Sequence, residues 1–323
     1  MDLQYRKINV ARLSVLSNTA LVVMKIAVGL TIGSVSIMSE AIHSGVDLLA
    51  SLITTFSVSK SSIPADVKHP FGHGKAENIS GTIEAFLIFL AAVWIIYEAI
   101  GKLLNPEPIE YVSWGVGVML ISALVNIVVS KMLFKVAKET DSVALEVDAW
   151  HLRTDVYTSC GVMASLALIW MGHRISPGTN LYWLDPVAAI AVALLITGTA
   201  YRLTLQSAQD LMDVKLPADE ETWIRQLIMT RQPVIHGFHQ LRTRKAGNFR
   251  FVDFHIKVDP AMSVEDSHRI TDELSGSIES HFPNTNVTVH IEPCDGTCSG
   301  DCLSGCLLPE SEQKSVMQKN RRV

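Results

Sequence analysis

Charge is what this sequence has least of. Asp, Glu, Lys and Arg make up 18% of its 323 residues, against about a quarter in ordinary soluble domains. With 48% hydrophobic residues and a mean hydropathy of +0.28, the chain is too apolar for a soluble enzyme of its length. The deficit is uneven: 30 charged residues fall in 1–210 (14%) and 29 in 211–323 (26%). That asymmetry predicts a membrane domain over 1–210 followed by a soluble one. There is no run of basic residues and the net charge is −5, which argues against nucleic acid as a partner. No H-E-x-x-H is present, so an intramembrane metalloprotease has no support. Small residues suited to a cleavage site do not follow the first apolar stretch, which is therefore read as an uncleaved span. Cysteine is scarce too. Four of the five sit near the end of the chain, and Cys160 falls alone in an apolar window, where it reads as core.

What is present is a set of long apolar windows. A spanning helix needs roughly 20 mostly apolar residues, and six windows qualify, near 13–32, 35–58, 79–103, 112–136, 143–172 and 183–206. Basic residues gather on alternate connections: Arg6, Lys7 and Arg12, then Lys60, Lys68 and Lys75, then Lys131, Lys135 and Lys138. The opposite connections are nearly free of them: Thr31–Ser34 has none, Asn105–Tyr111 is acidic, and the last has Arg174 alone. The positive-inside rule then places both termini in the cytoplasm. Structural disulfides are not expected there.

Two of the windows carry polar stripes. The second holds Glu40, His43, Ser44, Asp47, Ser51 and Thr54/Thr55; the fifth holds Asp148, His151, Asp155, Thr158 and Ser159. Steps of three or four put each set on one helix face. The strings AIHSGVDLLAS and AWHLRTDVYTS share A-x-H-x-x-x-D-x-x-x-S at a constant offset of 108. Each belongs to the middle helix of a three-helix half, so the count implies an inverted repeat. A carboxylate at the bilayer centre costs on the order of 2.5–3.5 kcal/mol, so two of them need compensation. Two readings are open: a buried His–Asp network that fixes packing, or a metal site. Two imidazoles and two carboxylates suit a tetrahedral divalent ion, above all zinc. Two neutral His, two Asp⁻ and one M²⁺ sum to zero. Emptied, the same groups carry −2 and attract protons. Competition between metal and protons is the physical basis of exchange. The connection after the second window offers Asp66, His69 and His73 beside Gly72 and Gly74, either as ligands or as surface residues.

Six spans, His43-x-x-x-Asp47, His151-x-x-x-Asp155 and the string HPFGHGKAE at 69–77 together resemble the cation diffusion facilitators. The resemblance runs from about residue 8 to residue 293 and is closest to the bacterial zinc/ferrous-iron efflux branch. It implies a homodimeric secondary active transporter, not an enzyme, exporting divalent metal against protons across the bacterial inner membrane. By matching position, His43, Asp47, His151 and Asp155 form the transport site, and Asp66, His69 and His73 a loop site. Lys75 is implied to pair with Asp213. Imidazole at position 43 ranks zinc first, with Fe²⁺, Co²⁺ and Cd²⁺ as secondary cargo. A non-transporting membrane metal sensor or partner subunit is the competing reading.

From residue 211 to 293 the pattern predicts helix, strand, strand, helix, strand. In the second strand Val252, Phe254, Ile256 and Val258 alternate with Phe251, Asp253, His255 and Lys257. The order αββαβ suggests a small ferredoxin-like α+β domain, and the resemblance implies a metallochaperone-like domain that binds metal and dimerises. Matched to the family, His239, His255, His268 and His290 are candidate ligands, with Glu292 where the branch usually has Asp. Such a site would sense cytoplasmic zinc. The last stretch, 294–323, reads as a flexible tail. Its Cys294, Cys298, Cys302 and Cys306, spaced by four, are either a soft-metal site or incidental thiols on a glycine-containing chain.

Overall fold

The computed structural model describes residues 2–32, 35–104, 113–175 and 183–320. The Asn105–Tyr111 connection and part of Thr31–Ser34, both used above for orientation, lie outside the described residues, as does the side chain of Glu40. The chain divides into two compact units, Met1–Leu211 and Met212–Val323.

The first unit is all helical: α1 (Asp2–Ile32), α2 (Val35–Ser61), α3 (Lys75–Leu104), α4 (Ser113–Thr140), α5 (Val143–Ile175) and α6 (Leu184–Leu211). The helices pack chiefly as α1 on α2, α3 on α6 and α4 on α5, with α5 also touching α2, α3 and α6. One apolar cluster joins α1, α2, α4 and α5 through Val10, Val58, Leu133, Leu145 and Leu152. Another joins α3, α5 and α6 through Ile88, Val147, Ile196 and Leu203. The outside is apolar as well: Phe86, Trp94, Leu124, Val128, Leu194 and Tyr201 are exposed. Apolar patches of this extent do not face water in soluble proteins, and fully hydrogen-bonded helices are what a bilayer accepts. Among the described residues, four helices are long and apolar enough to cross a membrane: Leu3–Thr31, Lys75–Leu104, Gly117–Thr140 and Pro186–Leu211. The expectation of six adds α2 (Val35–Ser61) and α5 (Val143–Ile175), which are of similar length and in part lie outside the described side chains.

The second unit is a small α+β fold: α7 (Ala218–Met229), β1 (Gly237–Ala246), β2 (Phe249–Val258), α8 (Val264–His281) and β3 (Thr285–Pro293). The sheet has order β1-β2-β3, with β1 antiparallel and β3 parallel to β2. Alternation decides the faces. Val252, Phe254, Ile256 and Val258 are buried against Ile224 and Ile228 of α7 and Leu274 and Ile278 of α8. Ser263 caps α8 by accepting from the Asp266 N–H at 3.0 Å. Arg250 grips Glu220 with two hydrogen bonds of 2.8 Å.

Residues 294–320, expected to be open chain, instead carry α9 (Gly300–Ser304) and α10 (Glu310–Asn320). Leu307 packs on the sheet core, and its N–H donates to the His236 carbonyl at 2.8 Å. The glycines permit the turns of this segment; burial of Leu307 and backbone pairing with β1 hold it down.

Candidate metal centres

The two polar stripes face each other. α2 supplies His43 and Asp47, and α5 supplies His151 and Asp155. Ligand atoms of His43, Asp47 and Asp155 lie within 4.8 Å of one another. His151 stands beside this group, its Nε2 3.0 Å from Asp47 Oδ1. Asp47 and His151 are buried, 5% and 7% exposed, whereas His43 is exposed to the adjoining space. All four line one cavity of about 570 Å³, together with Lys25 and Asn18 of α1. A volume of that size admits a hydrated cation, and the four side chains can replace part of its water shell.

Beyond this site the stripes continue into a buried hydrogen-bonded array. Ser51 bonds Ser14 (3.1 Å), accepts from Asn18 (2.6 Å) and donates to Asp148 (3.3 Å). Glu84 of α3 accepts from Thr54. Lys25 donates to Ser44 at 2.7 Å. At the ends of the helices the Lys7 ammonium and Glu77 carboxylate pair, both fully buried, with Ser61 and Ser142 also donating to Glu77. Sequence reasoning took Lys7 only as an orientation signal and passed over Lys25, Glu77 and Glu84 as site residues. Lys25 had a usable signal, a lone lysine inside an apolar window. Glu77 had none, because a carboxylate next to a polar connection looks solvated until its partner on α1 is known.

The second group is built by the connection between α2 and α3. Asp66 Oδ1 accepts from the backbone N–H of Lys68 (2.9 Å) and of His69 (2.6 Å), an Asx turn. The His69 N–H and ring therefore fold back on Asp66, with Nδ1 at 3.2 Å. Gly72, at φ +81°, takes the left-handed conformation that lets His73 return to the same point. The ring centroids of His69 and His73 are 4.3 Å apart, and ligand atoms of all three residues gather within 4.8 Å. The bonds from the His69 and Lys68 N–H groups hold the Asp66 carboxyl below its ordinary range. Lys75 donates to the Leu211 carbonyl at 3.3 Å within the first unit, and Asp213 accepts from Arg244 at 3.3 Å within the second.

The third group lies on the polar face of the sheet. His239 and His255 are cross-strand partners on β1 and β2, and His255 is level with His290 on β3. Glu292 accepts from both His239 (3.1 Å) and His255 (2.8 Å), and these three gather within 4.8 Å. His290 stands at the rim, 3.7 Å from Glu292. His268 is not brought there: it lies exposed on α8 beside Asp272 at 3.1 Å, because that helix covers the opposite face of the sheet. A hydrogen bond from Lys257 first, then those from His255 and His239, outweigh partial burial and hold the Glu292 carboxyl at about 2.

Comparison with known proteins agrees with both units. Residues 11–212 match the family model of the cation efflux transmembrane domain, and residues 216–294 that of the cation efflux protein cytoplasmic domain. The chain is 32% identical over 296 residues to the cation-efflux pump FieF of Yersinia pestis, covering 91% of this chain and 96% of that one. It is 34% identical over 263 residues to the uncharacterized transporter sll1263 of Synechocystis, covering 81% and 83%. Among solved structures, the metal-bound C-terminal domain of the CzcD transporter from Thermotoga maritima is 32% identical, covering 23% of this chain and 87% of that one, with a TM-score of 0.22.

Proposed function

The chain belongs to the cation diffusion facilitator family of membrane cation efflux transporters, and on that premise we propose that it exports divalent metal, zinc first, in exchange for protons. One observation carries the reading: His43, Asp47, His151 and Asp155 converge from two matched helices on a cavity large enough for a hydrated ion. A merely structural His–Asp network would be packed shut, as Lys7–Glu77 is. Two imidazoles with two carboxylates favour zinc over manganese or magnesium, with Fe²⁺, Co²⁺ and Cd²⁺ as further cargo. With metal bound the four groups and the ion are neutral; without it their carboxylates attract protons, and this alternation couples the two flows.

Six crossings with both termini in the cytoplasm, in a bacterial inner membrane, agree with the distribution of Lys and Arg. We further take the protein to act as a homodimer through its soluble unit, consistent with the matched cytoplasmic domain. Zinc at His239, His255 and Glu292 would act as a regulator there, and the Asp66, His69 and His73 group as a second loop site. Lys75 and Asp213 are assigned as an ion pair on the strength of the family pattern.

Purified protein in liposomes tests the central reading. Zinc movement should accelerate when the side opposite the metal is acidified. Asp155→Ala should lower it at least a hundredfold while the protein remains folded. Transport indifferent to the pH gradient would remove proton exchange, and a fully active Asp155→Ala would remove the site.

A further inference from the structure

We propose that Cys294, Cys298, Cys302 and Cys306 form a tetrathiolate site for one soft divalent metal ion, zinc by preference, which fastens the end of the chain to the sheet. The site is separate from the transport and regulatory groups and does not depend on the reading given to either.

The four cysteines line one small cavity of about 10 Å³, together with His236, Gly237 and Lys257. Such a volume holds about one water-sized centre, the scale of a single ion. Sequence spacing alone would not bring them round one cavity on an irregular chain; backbone pairing does. No three of the sulfurs gather within 4.8 Å as the ligand atoms of the other groups do, so a bound ion has to draw them in. Cys294 leaves β3 with its N–H on the Val258 carbonyl at 2.8 Å, at the end of β2. The chain then passes Cys298, makes α9 with Cys302, and returns so that Cys306 bridges Gly237 at the start of β1. Gly237 is the cross-strand partner of Lys257, one residue from Val258. Both legs of the loop are thus tethered at the same end of the sheet.

The return leg demands glycine. A Cβ on Gly305 would stand 1.7 Å from the Phe238 carbonyl oxygen, so the close approach that brings Cys306 home is available to no other residue. All four thiols are free and only half-buried, open to metal but out of bulk solvent.

Charge favours occupancy. Four thiolates and M²⁺ carry −2. Lys257, lining the same cavity, places its ammonium beside them while holding the Pro293 carbonyl at 3.3 Å and Glu292 at 2.7 Å. Sulfur-only donor sets select zinc and other soft ions over magnesium, calcium or manganese. Binding releases thiol protons, so affinity should rise with pH.

Cobalt titration of the full-length, reduced protein in detergent tests the site, because among the groups described here only this one supplies thiolate. One equivalent of Co²⁺ should develop a sulfur-to-cobalt charge-transfer band with the intense visible bands of tetrahedral cobalt, and Zn²⁺ should abolish both. The bands should vanish in Cys298→Ser/Cys302→Ser and persist in His255→Ala and Asp155→Ala. X-ray absorption of the zinc-loaded protein should place four sulfurs at about 2.3 Å. Gly305→Ala, which keeps every thiol, should weaken cobalt binding at least tenfold. Absence of a charge-transfer band at stoichiometric Co²⁺ would overturn the proposal. So would a band unchanged in the double serine variant, or fewer than three sulfurs around zinc.

Discussion

Glu292 shows how one side chain can serve two arrangements at once. It accepts from His239 and His255 and pairs with Lys257, whose ammonium also borders the cysteine cavity. Its carboxyl is held at about 2 against an ordinary 4.5, the Lys257 hydrogen bond contributing most. A carboxylate whose folded value is depressed adds stability that is complete above the unfolded value and is lost as the pH falls through the folded one. Glu292 therefore contributes a constant amount from pH 5 upward and loses it between 4.5 and about 2. Circular dichroism of unfolding should show Glu292→Gln with a flatter acid limb in that window and no added slope between pH 5 and 8. A slope change near neutrality would assign the titration to the histidines instead. Lys25 plays a comparable part in the membrane unit. It adds a positive charge beside Asp47 and Asp155 and so keeps the emptied cavity from carrying the full −2.

Among elements, α2 and α5 carry the polar stripes of the membrane unit, and neighbouring helices supply partners to them. α1 contributes Ser14 and Asn18, which bond Ser51, and Lys25, which donates to Ser44, while Thr54 of α2 donates to the buried Glu84 of α3. The Lys7–Glu77 pair, with Ser61 and Ser142, ties α1, α2, α3 and the start of α5 at one level. Removing one partner of a buried pair leaves a bare charge and costs about 3–5 kcal/mol, whereas replacing both by apolar groups is often neutral. Glu77→Ala should therefore lower the thermal midpoint in detergent by several degrees, and Lys7→Met/Glu77→Leu should recover most of the loss. If the double variant melts as low as the single one, the pair does more than satisfy itself.

The molecule as a whole reverses the soluble pattern in its first unit and keeps it in its second. The described residues of the first unit show apolar side chains outward and bury Asp47, Glu77, Glu84 and Asp148; those of the second bury Val252, Phe254 and Ile256 and show histidines on the free sheet face. On the proposed reading, this division separates carrying an ion from sensing it. His255→Ala should shift the activation of transport by zinc on the soluble-unit side several-fold to higher concentration, leaving the maximal rate in place. Transport assays over a zinc series on that side check this, and an unchanged activation curve counts against regulation by the sheet face.

Much of this was legible in the residues. The 3.6-residue period, the charge asymmetry and the 108-residue offset identified the membrane unit and paired His43 and Asp47 with His151 and Asp155. Alternation along 249–258 and 286–292 set the sheet faces, and the family resemblance named His255 and Glu292. These are local regularities, and local regularities survive in one dimension. Tertiary structure decided what depends on long-range proximity. It removed His268 from the histidine group, because α8 lies on the other face of the sheet. It joined Lys7 to Glu77 across 70 residues and brought Lys25 to the cavity lined by His43 and Asp47. It also turned four cysteines on an apparently open tail into the lining of one cavity, because Gly305 allows backbone to lie directly on β1. Spacing can list groups able to bind a metal; only the path of the backbone decides which of them meet.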